Sequence, residues 1–437
     1  MRPLPRLTGA AFGDLLATTF AAIGAQRDRR RISGELPAVW LSAFARWVFQ
    51  PPRLLEYQRR RQKRAGRANL ERVFAGPELP ADTQRREIGD GVPPAPLGRV
   101  GPPVCEQMRR VGGPTRVMTE GGGEPYYPTG GEGRAYFHST PSPSPRWLSQ
   151  RPADGEPHSS PVVVAARVTR AGSPAILPLA AEEVRNPAGL PQQACELPAA
   201  KRLVSWRRAE HRQFSVCIVG DDRYGHEPVI AERRAGRMRF VLVAPPTSPV
   251  ALFAQRAERE PRGEGVRGTW AEGSGRPRRS FAYRSAAAVP LTPSGVERVN
   301  FLEVWERRAD GTIGSPKSWV TDCVVSPETV ASIVGIGRAR GKSETAQFTV
   351  HKNHGYEVEP HYGHGQQTLA LGVYLRPRRA FLAPPLLEFG DRLYPQCRAG
   401  ESRRGLWTRC RRACSLLEVD TGEARRHYHL REPAPGP

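Results

Sequence analysis

The run FSVCIVGDD at 214–222 restricts the fold more than any other stretch of the chain. Its apolar residues are consecutive, carry β-branched side chains, and are too few for a buried helix, so the run reads as a buried β-strand ending in two carboxylates. A second run of the same kind, MRFVLVA at 238–244, follows shortly after it. Upstream, PVVVAARV (161–168) and PAILPLAAEEV (174–184) have strand length, and ELPAAKRLVSWRRAEH (196–211) has helical character. Strands, then a helix, then two more strands describe an α/β sheet.

The remaining chain divides around this nucleus. Residues 1–100 read as a helical N-terminal region: LPAVWLSAFARWVF (36–49) spaces its apolar residues three and four apart, Pro51 and Pro52 stop it, and a strongly basic helical stretch resumes at 54. Asp82 opens a further helix as its N-cap. Residues 101–245 hold the first part of a core. Within it the stretch 121–160 is so rich in Gly, Pro, Ser and Thr that it reads as partly disordered low complexity, with only a short strand expected near Arg116–Thr119. Residues 246–325 look like strands of a separate sheet. SPETVASIVGIGRARGKSETAQFTVHK then predicts a long helix with Ser326 as N-cap and Glu328 in its first turn, running to about Gly355 within a segment 326–395. Residues 396–437 read as a basic tail.

Charge decides the class of partner. Lys and Arg total 66 against 43 Asp and Glu, a net charge of +23, and only five of the 66 are Lys (63, 201, 317, 342 and 352). Such a surface attracts polyanions, because every neutralised phosphate releases condensed counterions, and nucleic acid is expected ahead of membrane. The segment 9–25 resembles a signal-peptide core, but Asp14 interrupts it and its spacing fits an amphipathic helix. No stretch reaches the ~18 clean apolar residues that a membrane span requires. Seven scattered Cys disfavour a secreted disulfide framework, and Cys410 with Cys414 lacks the second pair or flanking His of a zinc site. A cytoplasmic location follows.

Three places could carry chemistry. Asp221 and Asp222 stand directly after a buried strand, where ligands of open α/β sheets collect; the alternative is that Asp222 caps the next helix. Glu344 has Arg340 one turn before it and Lys352 two turns after it on one helical side, or it forms an ordinary exposed ion pair. His351, His354, His361 and His364 are close in sequence, but Gly and Pro interrupt them and no fixed helical pair emerges.

Four blocks in this order carry a family resemblance: QPPRLLEYQRRRQKRAGRANLERVFAG with PADTQRREIGDGVPP; VGDDRYGHEPV with RFVLVAPPTSP; WVTDCVVSPETVASIVGIGRARGKSE; and FTVHKNHGYEVEPHYGHGQQTLA. Over about residues 10–395 the chain resembles bacterial insertion-sequence transposases of the DDE, ribonuclease H-like class that carry a long β-rich insertion before the last acid. The resemblance implies a ribonuclease H-like mixed sheet with helices, the β-rich insertion at 246–325, and a helical DNA-binding N-terminal domain. It also implies two-metal cleavage and transfer of DNA strands. By match to the motif, Asp222 is the second acid, Glu344 the third, and Arg340, Arg338 and Lys352 are DNA contacts. Glu120 takes the place of the first acid, where relatives have Asp.

Two Mg²⁺ ions, replaceable by Mn²⁺, are the implied cofactors, and double-stranded DNA, engaged by a synaptic homodimer at the nucleoid, is the implied partner. Gly337 stands where many relatives have Tyr. Pro377, Pro384 and Pro385 are expected to break the last helix, as in a degenerate copy. A catalytically inactive DNA-binding relic is the competing expectation.

Overall fold

The computed structural model describes the greater part of residues 89–343 and 368–416, with isolated residues outside those spans. Helices α1 (Pro94–Gly98) and α2 (Pro102–Arg110) precede strands β1 (Thr119–Gly121), β2 (Glu124–Ala135), β3 (Leu148–Gln150), β4 (His158–Ser160), β5 (Val162–Thr169) and β6 (Ile176–Val184). Helix α3 (Glu196–Glu210) leads to β7 (Val216–Gly220), α4 (Glu227–Ala235), β8 (Arg239–Val243) and α5 (Val250–Arg259). Strands β9 (Gly265–Glu272), β10 (Arg279–Pro290), β11 (Arg298–Arg307) and β12 (Lys317–Thr321) come next. Helices α6 (Val330–Ser343), α7 (Leu369–Ala380), α8 (Ala383–Gly390), α9 (Tyr394–Arg398) and α10 (Arg403–Leu416) follow.

The chain is mixed α/β. Its main sheet has the order β6-β5-β2-β7-β8-β12-β11-β10-β9, with β1 paired to the start of β2. β6, β5 and β2 are antiparallel neighbours, whereas β2–β7 and β7–β8 are parallel. The strands of 246–325 do not form the separate sheet expected of them. β12 sets Trp319, Val320 and Thr321 opposite Val243, Leu242 and Val241 of β8, and β11, β10 and β9 continue the same antiparallel ladder. An edge strand with open N–H and C=O groups is a template for such pairing, and the insertion uses the edge of β8 that way.

Side-chain alternation along β7 splits the core into two layers. Val216 and Ile218 face the side covered by Leu203 of α3, Ile230 of α4 and Leu252 of α5. Cys217 and Val219 face Val330, Ile333, Val334 and Ile336 of α6, together with Trp319. Full burial on both faces explains why β7 carries no polar residue before Asp221. Burial also pushes the Cys217 thiol well above its usual range.

The low-complexity reading of 121–160 fails at β2, which sits in the middle of the sheet between β5 and β7. Its Pro125 and Pro128 precede Thr129, where pairing with β5 begins, so neither has to donate a hydrogen bond to that neighbour. Pairing on both sides holds the Gly-rich remainder extended where local propensity would not. The N-terminal helices expected at 36–49 and from 54 lie outside the described residues apart from a few helical positions, among them Phe44, Arg64 and Arg67.

The helix expected to break after 365 does break, at residues 381–382 between α7 and α8, though not at Pro377. Pro377 lies inside α7, and Pro384 and Pro385 occupy the first turn of α8, where the missing N–H groups would have no intrahelical acceptor anyway. Residues 396–416 are not a tail: α10 buries Leu406, Trp407, Cys410 and Ala413. The segment 90–99 is bound to α7 at both ends. Asp90 Oδ1 accepts from the Thr368 and Leu369 amides at 2.9 and 2.8 Å, capping α7 from far away in sequence. Arg379 donates to the carbonyls of Leu97 (2.9 Å), Arg99 (2.7 Å) and Pro96, beside the end of α1. Burial lowers its guanidinium to about 10, which leaves it charged at neutral pH.

Candidate active site

β7 ends at Gly220, and Asp221 and Asp222 follow at its carboxyl end, both half-buried. Alternation continues past the strand, so Asp221 falls on the α6 side with Cys217 and Val219. Helix α6 starts at the opposite end of the strands. Its first turn is prepared by Ser326, whose carbonyl accepts from Val330 N–H at 2.9 Å and whose amide donates to Thr329 Oγ1 at 2.9 Å. The Ser326 hydroxyl, expected to cap the helix, donates instead to the Glu328 carboxylate at 2.6 Å and holds that carboxyl below its ordinary range.

From there α6 crosses the sheet, packing over β1, β2, β5, β7 and β8. It brings Arg340 to Asp221, with Nη2 3.7 Å from Oδ2. The other oxygen, Asp221 Oδ1, is buried and has no hydrogen-bond partner among the described residues. A half-neutralised carboxylate with one unsatisfied buried oxygen is a hard donor with unused capacity, which suits a divalent cation such as Mg²⁺.

The remaining sequence candidates fall in different places. Glu344 and Lys352 lie outside the described residues, as do His351, His354, His361 and His364. Arg338, expected to contact DNA, is turned into the protein: its Nη1 is 3.4 Å from Glu272 of β9, and its guanidinium stands 4.6 Å over the Phe281 ring of β10. That pair ties α6 to the inserted strands.

Strand register sets Glu120 apart from the aspartates. Glu120 pairs with Pro125 at the start of β2, and Tyr127 of β2 is level with Val216 of β7. Glu120 therefore falls two positions short of the Val216 row and eight positions from Asp222, about 26 Å along the strands at ~3.3 Å per residue. The backbone puts the expected first acid at the far end of the sheet.

A different acid occupies the near end. Gly130 of β2 is level with Val219 of β7, and two residues further on the backbone of Glu132 comes level with Asp221. The sequence signal that could have found Glu132 is weak, because it lies in GGEGR, a context that reads as loop.

Among the described residues, no three His, Cys, Asp or Glu side chains are grouped as a metal site. Cys217, Cys323, Cys397 and Cys410 are not engaged in disulfides. No helix among the described residues is long and apolar enough to cross a membrane. No family model matches the chain, and no curated protein sequence matches it.

Proposed function

We propose that this chain is a divalent-metal-dependent DNA strand transferase of the insertion-sequence transposase kind, on a ribonuclease H-like core. One observation carries the reading: two carboxylates end the parallel strand β7, and the basic end of the helix that follows a β-rich insertion is ion-paired to one of them. Several features support the fold. The order β6-β5-β2-β7-β8 has antiparallel pairing at its first two junctions and parallel pairing at its last two. Helix α3 lies between β6 and β7 in sequence, and α4 between β7 and β8, as that architecture requires. The net charge of +23 suits a phosphodiester substrate.

In this reading Asp221, Asp222 and Glu344 hold the metal, and Glu132 replaces Glu120 as the acid from the central strand. Bound divalent cations would supply Lewis acidity at the scissile phosphate and a more acidic attacking water. The chain's own residues do the rest. Arg340, which half-neutralises Asp221, is placed to accept a phosphate in exchange for that carboxylate, and its planar fork suits phosphate oxygens. The substrate is double-stranded DNA at element ends and target, engaged by a synaptic homodimer.

The test is conversion of supercoiled plasmid to nicked or linear form with Mg²⁺ or Mn²⁺. Nicking that disappears in Asp221→Asn and Asp222→Asn supports the proposal. No nicking with either metal refutes it, and DNA binding that persists with a steep salt dependence would then identify an inactive DNA-binding relic.

A further inference from the structure

Gly337 lies buried in the second half of α6, against Trp319 of β12. A Cβ added at Gly337 would stand 2.5 Å from Trp319 Nε1, 2.8 Å from Cε2 and 3.0 Å from Cδ1. The indole is almost fully buried, 3 % exposed, and its Nε1–H has no hydrogen-bond partner among the described residues. The helix backbone thus rests directly on the ring.

Register relates this contact to the candidate site. Trp319 is level with Val243 of β8, and Gly220 of β7 is level with Leu242, so the next residue, Asp221, is also level with Val243. Trp319 and Asp221 flank β8 in one transverse row, both on the face that α6 covers. Gly337 and Arg340 are three residues apart, a rise of ~4.5 Å on one side of the helix. Helix α6 therefore meets the row at two points, Gly337 on Trp319 and Arg340 on Asp221.

We infer that Trp319 is a positioning residue: its indole is the seat for α6 at Gly337, and the seat sets how close the basic end of the helix stands to Asp221. The space that a side chain at position 337 would need is filled by this ring from β12. The seat stands on geometry alone. Its consequence for activity rests on the strand-transferase reading.

Hydrogen exchange along α6 and plasmid nicking test the inference on the full chain. In Gly337→Ala the amides of residues 338–343 should exchange at least ~10-fold faster, while those of β7 and β8 keep their protection. Nicking should fall at least ~10-fold with DNA affinity unchanged, since a displacement of about 1 Å at a reacting centre has that scale of effect. Trp319→Phe combined with Gly337→Ala should restore both. Gly341→Ala is the control: a methyl there meets nothing within 4 Å, so protection and nicking should not fall.

Should Gly337→Ala fail to fold, Trp319→Phe alone, which empties space under the helix, should loosen the same six amides. Unchanged exchange at 338–343 in these variants, or loss of protection spread through the whole sheet, overturns the seat. If the parent protein does not nick DNA while the exchange pattern is as expected, the strand-transferase reading fails and the seat stands.

Discussion

Arg340 and Asp221 are brought to 3.7 Å by two elements that enter the site from different directions, β7 from below and α6 across the face. The pair is half-exposed, with side-chain exposures of 37 and 24 %, so its direct effect on stability is small, ~0.5 kcal/mol. Its effect on activity should be larger and shared. Asp221→Asn should slow nicking at least ~100-fold, and Arg340→Ala about 10-fold. Because the two groups act through one contact, the double variant should be no slower than Asp221→Asn alone. Nicking rates of the four proteins at equal DNA occupancy check this, and multiplicative losses would separate the two residues.

The register of β2 makes a sharper distinction between two glutamates. Glu132 is level with Asp221, and Glu120 is seven positions, about 23 Å, further down the strands. Glu132→Gln should therefore cost at least ~100-fold in nicking, and Glu120→Gln no more than about twofold. The opposite ranking would show that β2 pairs with β7 in another register.

What was legible in the sequence was what local pattern encodes. Strands β7 and β8 and helix α3 announce themselves by consecutive apolar residues or by helical spacing, and the structure has them where expected. Strand β2 was illegible because Gly and Pro outnumber the strand-favouring Tyr and Thr in EPYYPTGGEGRA and no alternation shows; its conformation is supported by pairing with β5 and β7. The continuity of the inserted strands with the main sheet was hidden for a related reason, since β12 is joined to β8 by backbone pairing that no side chain advertises. The candidate site divides the same way. Two adjacent aspartates after an apolar run mark a strand end, but which glutamate lies across from them depends on register. Proline at 377 misled because the cost of a proline in a helix is paid in packing that only the folded protein reveals.

Tyr127 of β2 links that strand to a pH dependence. Burial pushes its hydroxyl up to about 12, opposed in part by the Arg207 charge. The unfolded chain releases this proton near pH 10, so between about pH 10 and 12 the folded state holds more protons than the unfolded state. The contribution of Tyr127 is complete below pH 10 and disappears as pH rises through 12. Urea midpoints of the parent protein should fall more steeply across that window than those of Tyr127→Phe. Equal slopes would mean that the phenol is solvated in the fold.

The end of α4 offers a test of the backbone itself. Arg237 N–H donates to the Arg234 carbonyl at 2.9 Å, and Met238 N–H donates to the Arg233 carbonyl at 3.0 Å, the paired bonds of a Schellman cap. The left-handed position of that cap is Arg237, at φ 51°, although Gly236 immediately before it would fit there without strain. A non-glycine residue in this conformation costs about 1 kcal/mol. Arg237→Gly should therefore stabilise the fold by ~1 kcal/mol. Gly236, which is not at positive φ, should accept alanine with a gain of about 0.5 kcal/mol from the reduced freedom of the unfolded chain. Because α4 connects β7 to β8, both gains should appear in the main unfolding transition followed by urea or heat. A loss of stability in Arg237→Gly would instead assign the Arg237 side chain a contact that outweighs the backbone strain.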